Sequence, residues 1–445
     1  MPWRENQPHV LNLIKRQPYS LISHFMRSGK TLPVARYLKL MKKKTLIVCP
    51  PAVIPVWEGY LEHDPHVDLR TKGFHILSSG QLSQKKWDVE EYMAKVGEFE
   101  IVVIDEIHQF KAFSERFTRM RKLVKGVPKR IGITATPLES NLQDIFYIWQ
   151  LLDDGKLFGK SQEIFHDLYC YCTNPRSTHP KFALKKELVD EVMEALSPFI
   201  TIYRPPEIVP PIDNLVTFGL CHEQLHLLRN FRQRVGTRTI LDCFDGQNLD
   251  WGPGVMYSKM QQLSSGFVYF EKRYKDKRTN LIMRTPSIYF VKTEKWDILK
   301  KIMKRLGKRQ YILWYTFEEE AAQILKAAEE MQVKVRLFSS TAVEAFKSGE
   351  TQGLVCHPRS AGMGIDLSFC NHSIYTNIPA SGLDHIQSAY RTVRFSGGDK
   401  FNWYLVADHP EYLKRWKRLN EKKDELNEFY AKGNLRPKQT EHTLD

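Results

Sequence analysis

Long apolar runs are missing from this 445-residue chain. None approaches the roughly 18 residues that cross a bilayer, and the first six, Met1-Pro-Trp-Arg-Glu-Asn6, lack the apolar centre of a secretory leader. Both absences predict a soluble, intracellular protein with no membrane partner. Cysteine is sparse: seven residues, an odd number, scattered without the density of a disulfide framework. Cys170 and Cys172 are the one close pair, and no Cys/His pair follows at zinc-site spacing, so buried free thiols are expected. Acidic residues are in deficit, 51 against 66 Lys and Arg, for a net charge of +15. That excess suits a polyanionic partner; a solubilising surface is the plain alternative.

The chain is too long for one compact core, and its 42% hydrophobic content suits two or three globular domains. Tyr19 to Ile22 reads as a buried strand and Leu32 to Leu40 as a helix. Between them lies Ser-His-Phe-Met-Arg-Ser-Gly-Lys-Thr, residues 23–31, ending in the Gly-Lys-Thr of a phosphate-cradling loop. A loop at a strand-to-helix junction aims backbone N–H groups and the positive end of a helix at polyphosphate. There Gly29 lets the backbone approach the anion, Lys30 neutralises the β- and γ-phosphates, and the Thr31 hydroxyl ligates Mg2+. Glycine is lacking five residues before Gly29, where His24 stands. Gln7, just ahead of the apolar-periodic Val10, Leu11, Leu13 and Ile14, carries an amide able to read an adenine edge; an exposed helix-start glutamine is the alternative.

Thr45 to Cys49 is a β-branched strand stopped by Pro50-Pro51, which places a loop over Pro50 to Val53 at the carboxyl edge of a sheet. Phe74 to Leu77 repeats the pattern and ends in Ser78-Ser79-Gly80. Both loops offer N–H and hydroxyl donors to a phosphate backbone, or are ordinary turns. Ile101 to Ile104 is continuously apolar, as expected of a strand buried on both faces, and leads into Asp105-Glu106-Ile107-His108. Adjacent carboxylates at the end of a buried strand are costly unless a cation or a reaction uses them. Asp105 would hold Mg2+ and Glu106 would orient and deprotonate water; a solvated strand-to-turn pair is the alternative. Arg130 to Pro137 runs from strand into Thr134, Ala135 and Thr136. Alternating strands and helices over residues 19–152 predict a doubly wound, mainly parallel sheet.

Residues 155–211 read as an irregular helical extension, completing a first domain of 1–211. Residues 212–285 read as a helical and basic link. A second α/β unit over 286–431 ends in a charged helix, and 432–445 reads as a polar tail. This second unit shows no phosphate loop or carboxylate pair. It does contain Ser360-Ala361-Gly362-Met363-Gly364 and Gln387 with Arg391 and Arg394.

In order, Gln7, Gly29-Lys30-Thr31, Cys49-Pro50, Asp105-Glu106-Ile107-His108, Thr134-Ala135-Thr136-Pro137, Gly362 to Leu367, and Gln387/Arg391/Arg394 resemble the motifs of superfamily 2 helicases, in the Swi/Snf-like branch of double-stranded DNA translocases. The resemblance implies two RecA-like lobes and an enzyme that turns ATP into ADP and phosphate. Lys30, Asp105, Glu106, Arg391 and Arg394 would be catalytic. Gln7, Arg27, Ser28, Gly29, Lys30, Thr31, Gly364 and Gln387 would bind ATP, and Thr31 and Asp105 would hold Mg2+. DNA, recognised by structure rather than sequence, would meet Pro50, Pro51, Ala52, Ser78, Ser79, Gly80, Ser360, Ala361 and Gly362. His108, Thr134, Ala135 and Thr136 would couple hydrolysis to movement. Compactness resembles bacteriophage helicases that migrate branched DNA, which implies remodelling of forks or Holliday junctions in replication, recombination or repair and, for a chain of phage origin, the cytoplasm of a bacterial host; the oligomeric state stays open, with a monomer favoured. A transcription-linked translocase, an RNA helicase and a nucleotide-gated DNA clamp stay open beside it.

Overall fold

The computed structural model describes residues 4–26, 28–62, 73–135, 144–173, 175, 182–205, 209–233, 253–275, 282–358, 367–379, 385, 388–390, 392–393 and 398–432. The chain divides into two units, Met1–Ile208 with Lys422–Asp445, and Val209–Glu421. Among the described residues no helix is long and apolar enough to cross a membrane.

In the first unit a helix, Asn6–Arg16, precedes β1 (Tyr19–His24), followed by a helix Thr31–Met41, β2 (Thr45–Cys49), a helix Ile54–Glu62 and β3 (Phe74–Ser78). Then come a helix Val89–Val96, β4 (Ile101–Asp105), a helix Glu115–Val124, β5 (Lys129–Thr134) and a helix Asp144–Asp153. Every residue of β2 and β4 is buried, which is why these strands carry uninterrupted apolar runs. Caps fix the helix starts: Asp88 accepts from the Glu91 N–H at 2.8 Å and Ser114 from that of Phe117 at 3.2 Å. Val10, Ile22, Val34, Ile47, Trp57 and Ile131 are among the buried residues of one core cluster.

Residues 155–211 contain helices Gln162–Tyr169 and Val189–Leu196, as a helical extension predicts. They also form a hairpin of β6 (Cys170–Cys172) and β7 (Phe182–Leu184), and β8 (Ile200–Tyr203). β8 joins the first sheet, whose order is β3-β2-β4-β5-β1-β8 with every pairing parallel. Cys170 is buried, Cys172 is half-buried, and both are free thiols.

The region 212–285, expected to be mostly helical, holds helices His222–Gln233 and Pro253–Ser264 but also strands. β9 (Ile212–Phe218) is the outer strand of the second sheet, and β10 (Phe267–Lys275) pairs antiparallel with β11 (Ile282–Phe290). Helix Lys295–Leu306, β12 (Tyr311–Trp314), helix Glu318–Glu330, β13 (Val335–Leu337), helix Ser340–Lys347, β14 (Gly353–Cys356), β15 (His372–Tyr375), β16 (Phe401–Ala407) and helix Pro410–Lys432 complete the chain. The second sheet runs β13-β14-β12-β15-β16-β9, again all parallel. The fold class is therefore α/β, with two six-stranded parallel sheets.

A wholly buried polar cluster organises the second core. Lys295 Nζ donates to Ser265 Oγ at 2.7 Å, Asn377 Oδ1 at 3.1 Å and Glu320 Oε1 at 3.2 Å. The other Glu320 oxygen accepts the Thr316 and Phe317 N–H groups at the start of its own helix. Burial, opposed by Glu320, pushes the Lys295 amine below the ordinary lysine range.

Candidate functional site

The phosphate-loop residues, the acidic pair and the Thr134-Ala135 pair all lie at the carboxyl ends of three neighbouring strands, β1, β4 and β5. Register aligns those ends, with Ser23 beside Thr134 and Asp105 beside Ile133. Open parallel sheets bind ligands at this edge.

Gly29 adopts φ +76°, and a Cβ there would lie 2.7 Å from Gln7 Nε2. A larger residue is excluded both by conformation and by that amide. Gln7 is 2% exposed; its Nε2 donates to the Gly29 carbonyl at 3.0 Å and its Oε1 accepts the Arg4 N–H at 3.0 Å. Adenine reading by Gln7 therefore uses its remaining amide valences or displaces these bonds. Ser28 is fully buried and its Oγ has no hydrogen-bond partner, nor does Asn6 Oδ1. An orphaned hydroxyl beside the loop fits an incoming phosphate oxygen.

His24 explains the missing glycine. It ends β1 as a strand residue whose ring is buried between the first helix and β8: Nδ1 faces Asn6 Nδ2 at 3.0 Å and Nε2 faces Thr201 Oγ1 at 2.9 Å. Asn6 Nδ2 also donates to the Ser28 carbonyl at 3.3 Å, so the amide nitrogen faces the ring. Nδ1 is then the acceptor and Nε2 carries the proton. Burial, then the positive charge of Lys30, lowers His24 from 6.5 to about 3. The imidazole is neutral, so it adds no cation beneath the loop.

Asp105 is 4% exposed. Burial, then repulsion from Glu106, raises its carboxyl from 3.8 to about 6; Lys30, the Trp57 indole and the Glu106 N–H act the other way. Trp57 Nε1 donates to Oδ2 at 2.9 Å and the Glu106 N–H to Oδ1 at 3.0 Å. A desolvated carboxylate at the end of β4, within the field of Lys30, is a fitting ligand for a hard divalent cation. Glu106 itself stands in the left-handed region at φ 54°, ψ 50°, a conformation a non-glycine residue adopts at a cost of about 1–2 kcal/mol.

The 3-10 turn Ile107–Phe110 follows Glu106. Its His108 places Nδ1 3.3 Å from Glu106 Oε2 and 3.0 Å from Thr134 Oγ1. Gln109 Oε1 accepts the Ser79 hydroxyl at 2.9 Å and an Arg116 N–H at 3.4 Å. One turn thus touches both the β5 terminus and the 78–80 loop. A Cβ on Gly132 of β5 would lie 2.9 Å from Ile107 Cδ1, so the bare backbone there is the bed on which the turn sits.

The 50–52 and 78–80 loops adjoin: a Cβ on Gly80 would lie 3.7 Å from Pro51 Cγ. Pro51 and Ala52 are exposed, whereas Pro50 is buried. The backbone N–H groups of the second loop are used locally. The Ser78 N–H donates to Gln81 Oε1, that of Ser79 to the Cys49 carbonyl, and that of Gly80 to Ser78 Oγ. Its amides close the turn, and the Ser79 hydroxyl points inward to Gln109. Arg27, Thr136, Ser360, Ala361, Gly362, Gly364, Gln387, Arg391 and Arg394 lie outside the described residues.

Sequence reasoning gave no role to Asn6, Trp57, Gln109 or Thr201. Their contacts bridge 18, 48, 30 and 177 positions, and no local spacing encodes such distances.

No family model matches the chain. Over 198 residues, 37% of this chain, it is 23% identical to Switch 2 of Arabidopsis thaliana. It is 30% identical over 123 residues, 25% of the chain, to the CHD3-type chromatin-remodeling factor PICKLE of the same plant. It is 25% identical over 204 residues, 42% of the chain, to the uncharacterized ATP-dependent helicase YqhH of Bacillus subtilis. The matches span 22%, 9% and 35% of those relatives. Among solved structures, the Sulfolobus solfataricus SWI2/SNF2 ATPase core in complex with dsDNA is similar over 98% of this chain and 94% of its own, at 16% identity and a TM-score of 0.40.

Proposed function

We propose that this chain is the core of an ATP-hydrolysing DNA translocase of the Swi/Snf-like branch of superfamily 2. The observation that carries the reading is the convergence of Lys30, Asp105 and a conformationally strained Glu106 at the carboxyl ends of β1 and β4, which flank β5, with Asp105 desolvated between an indole and a lysine. Similarity to an ATP-dependent helicase and a chromatin-remodelling factor supports the same class, and the +15 charge suits nucleic acid.

In this reading Lys30 and the N–H groups of the loop bind the triphosphate, and Ser28 Oγ is an additional donor to it. Thr31 and Asp105 hold Mg2+, which when bound screens the phosphate charge. Glu106 accepts a proton from the attacking water, with the Thr134-bonded Nδ1 of His108 3.3 Å from its Oε2. Arg391 and Arg394 are proposed to stabilise the transferring phosphoryl group. DNA contact is assigned to Pro51 and Ala52 and to the surface beside Ser78 and Gly80, through the sugar-phosphate backbone, so binding follows DNA structure and weakens with salt.

Turnover of ATP by the full chain with and without nucleic acid tests the proposal. Stimulation by DNA is expected, with Lys30→Ala and Glu106→Gln each lowering turnover about 10²-fold or more while DNA retention persists. Absence of stimulation by any DNA or RNA removes the motor. For the finer task we favour remodelling of forks or Holliday junctions; duplex, fork, four-way junction and RNA substrates measured side by side decide it, and activity confined to RNA rejects it.

A further inference from the structure

A cavity of about 650 Å³ opens in the second unit at the amino ends of β12, β15 and β16, the opposite sheet edge from the one where parallel folds place their motif loops. Arg305, Arg309, Asn371, His372, Phe401 and Trp403 line it, and among the described residues no carboxylate does. Both arginines are exposed, and among the described residues neither makes an ion pair. The Arg305 guanidinium lies over the Trp403 ring at 5.6 Å, and His372 stacks on Phe401 at 5.4 Å and 21°. Phe401 and Trp403, two apart on one strand, present their rings on the same face.

The wall is built rather than incidental. Lys400, 6% exposed, donates to the Ser368 carbonyl at 2.8 Å, the Cys370 carbonyl at 3.2 Å and Asn371 Oδ1 at 2.5 Å. Its three protons hold the turn that forms one side. Two polar ring atoms in the wall, His372 Nδ1 and Trp403 Nε1, have no hydrogen-bond partner. Burial, then the charges of Arg309 and Lys400, pushes His372 below its ordinary value.

We propose that this cavity binds a nucleoside phosphate, either a free mononucleotide or one residue of a single strand. Two guanidinium groups without a carboxylate partner match phosphate, and the paired rings give a base a flat surface to stack on. The volume lies in the range of single small-ligand sites. The proposal is independent of hydrolysis in the first unit.

Photo-crosslinking of the full chain with 5-iodo-2′-deoxyuridine 5′-monophosphate, and separately with a single-stranded oligonucleotide carrying the same base, tests it. Adducts mapped by mass spectrometry are expected on the peptides containing His372 or Phe401 to Trp403. Arg305→Gln/Arg309→Gln should reduce them at least tenfold with unchanged thermal unfolding, and Arg309→Gln alone, outside the helix, provides a second variant. Labelling by the mononucleotide identifies a small-molecule site, and labelling by the oligonucleotide alone identifies a strand contact. Adducts found only elsewhere, including the 23–31 loop, or undiminished in both variants, overturn the assignment.

Discussion

Asp105 and His24 sit at the same sheet edge and answer acid in opposite directions. Folded Asp105 takes up its proton near pH 6, whereas the unfolded residue waits until 3.8. Its ionisation therefore destabilises the fold above pH 6, and that penalty disappears as pH falls through the window. His24 has a folded value near 3 against 6.5, so the stability it preserves above pH 6.5 drains away as pH falls toward 3. Asp105→Asn should unfold at a higher temperature than wild type at pH 8, by up to about 3 kcal/mol for a shift of roughly two units, and the gap should close by pH 4. His24→Gln should lose less stability than wild type between pH 7 and pH 5; an identical acid response in calorimetry would refute the buried neutral ring. Glu106 adds a third residue-scale test. Glu106→Gly relieves its left-handed backbone and should raise stability by about 1 kcal/mol in urea unfolding while ending ATP turnover. A loss of stability would mean that the side-chain contact with His108 outweighs the strain.

At the scale of elements, the 3-10 turn Ile107–Phe110 reaches β5 through His108 and the 78–80 loop through Gln109. If that loop lies beside DNA, the Ser79–Gln109 hydrogen bond is the shortest described route from it to Glu106. Gln109→Ala should keep basal ATP turnover within about twofold yet cut DNA stimulation five- to tenfold, the worth of one buried hydrogen bond. Equal losses of basal and stimulated rates would assign Gln109 to folding instead. Strands β2 and β4 were legible because burial on both faces writes a nearly continuous apolar run, and β1 and β5 because a short apolar stretch leads into the Gly-Lys-Thr and Thr-Ala-Thr loops. Two outer strands, β8 and β9, were not, although the outer strand β3 was. β8 is four residues between Pro198 and Arg204-Pro-Pro, and β9 alternates exposed and half-buried positions around Asp213 and Asn214, so each reads as a link until its partner strand is in place. The 29–31 loop and the Asp105-Glu106 pair were legible as a pattern, and the structure brings both to one sheet edge. Trp57, Asn6 and Gln109 were not, since only the closed sheet brings them to their partners.

For the whole molecule, two sheets with separate cores predict two unfolding units. Lys295 and Glu320 lie in the second, fully buried, 3.2 Å apart. Glu320→Ala leaves the ammonium without its carboxylate and should destabilise that unit by about 3–5 kcal/mol, while Lys295→Met with Glu320→Leu should cost much less. Calorimetry should show the lower-temperature shift in one transition only, and Asp105→Asn should move the other. A single transition displaced by both variants would show that the chain unfolds as one cooperative body.

The β9–β16 ladder sets the order in which the polypeptide can mature. Asp213 and Asn402 are hydrogen-bonded neighbours separated by 189 positions, so a ribosome working at about 5–20 residues per second releases the earlier strand roughly 10–40 s before its mate. The first sheet is finished once β8 emerges, while the second waits for β16, Phe401–Ala407. During that interval β9, whose one neighbour in the sheet is β16, has no strand to take its backbone N–H and C=O groups, so nascent chains stalled before residue 401 should bind a chaperone more than chains released past residue 407.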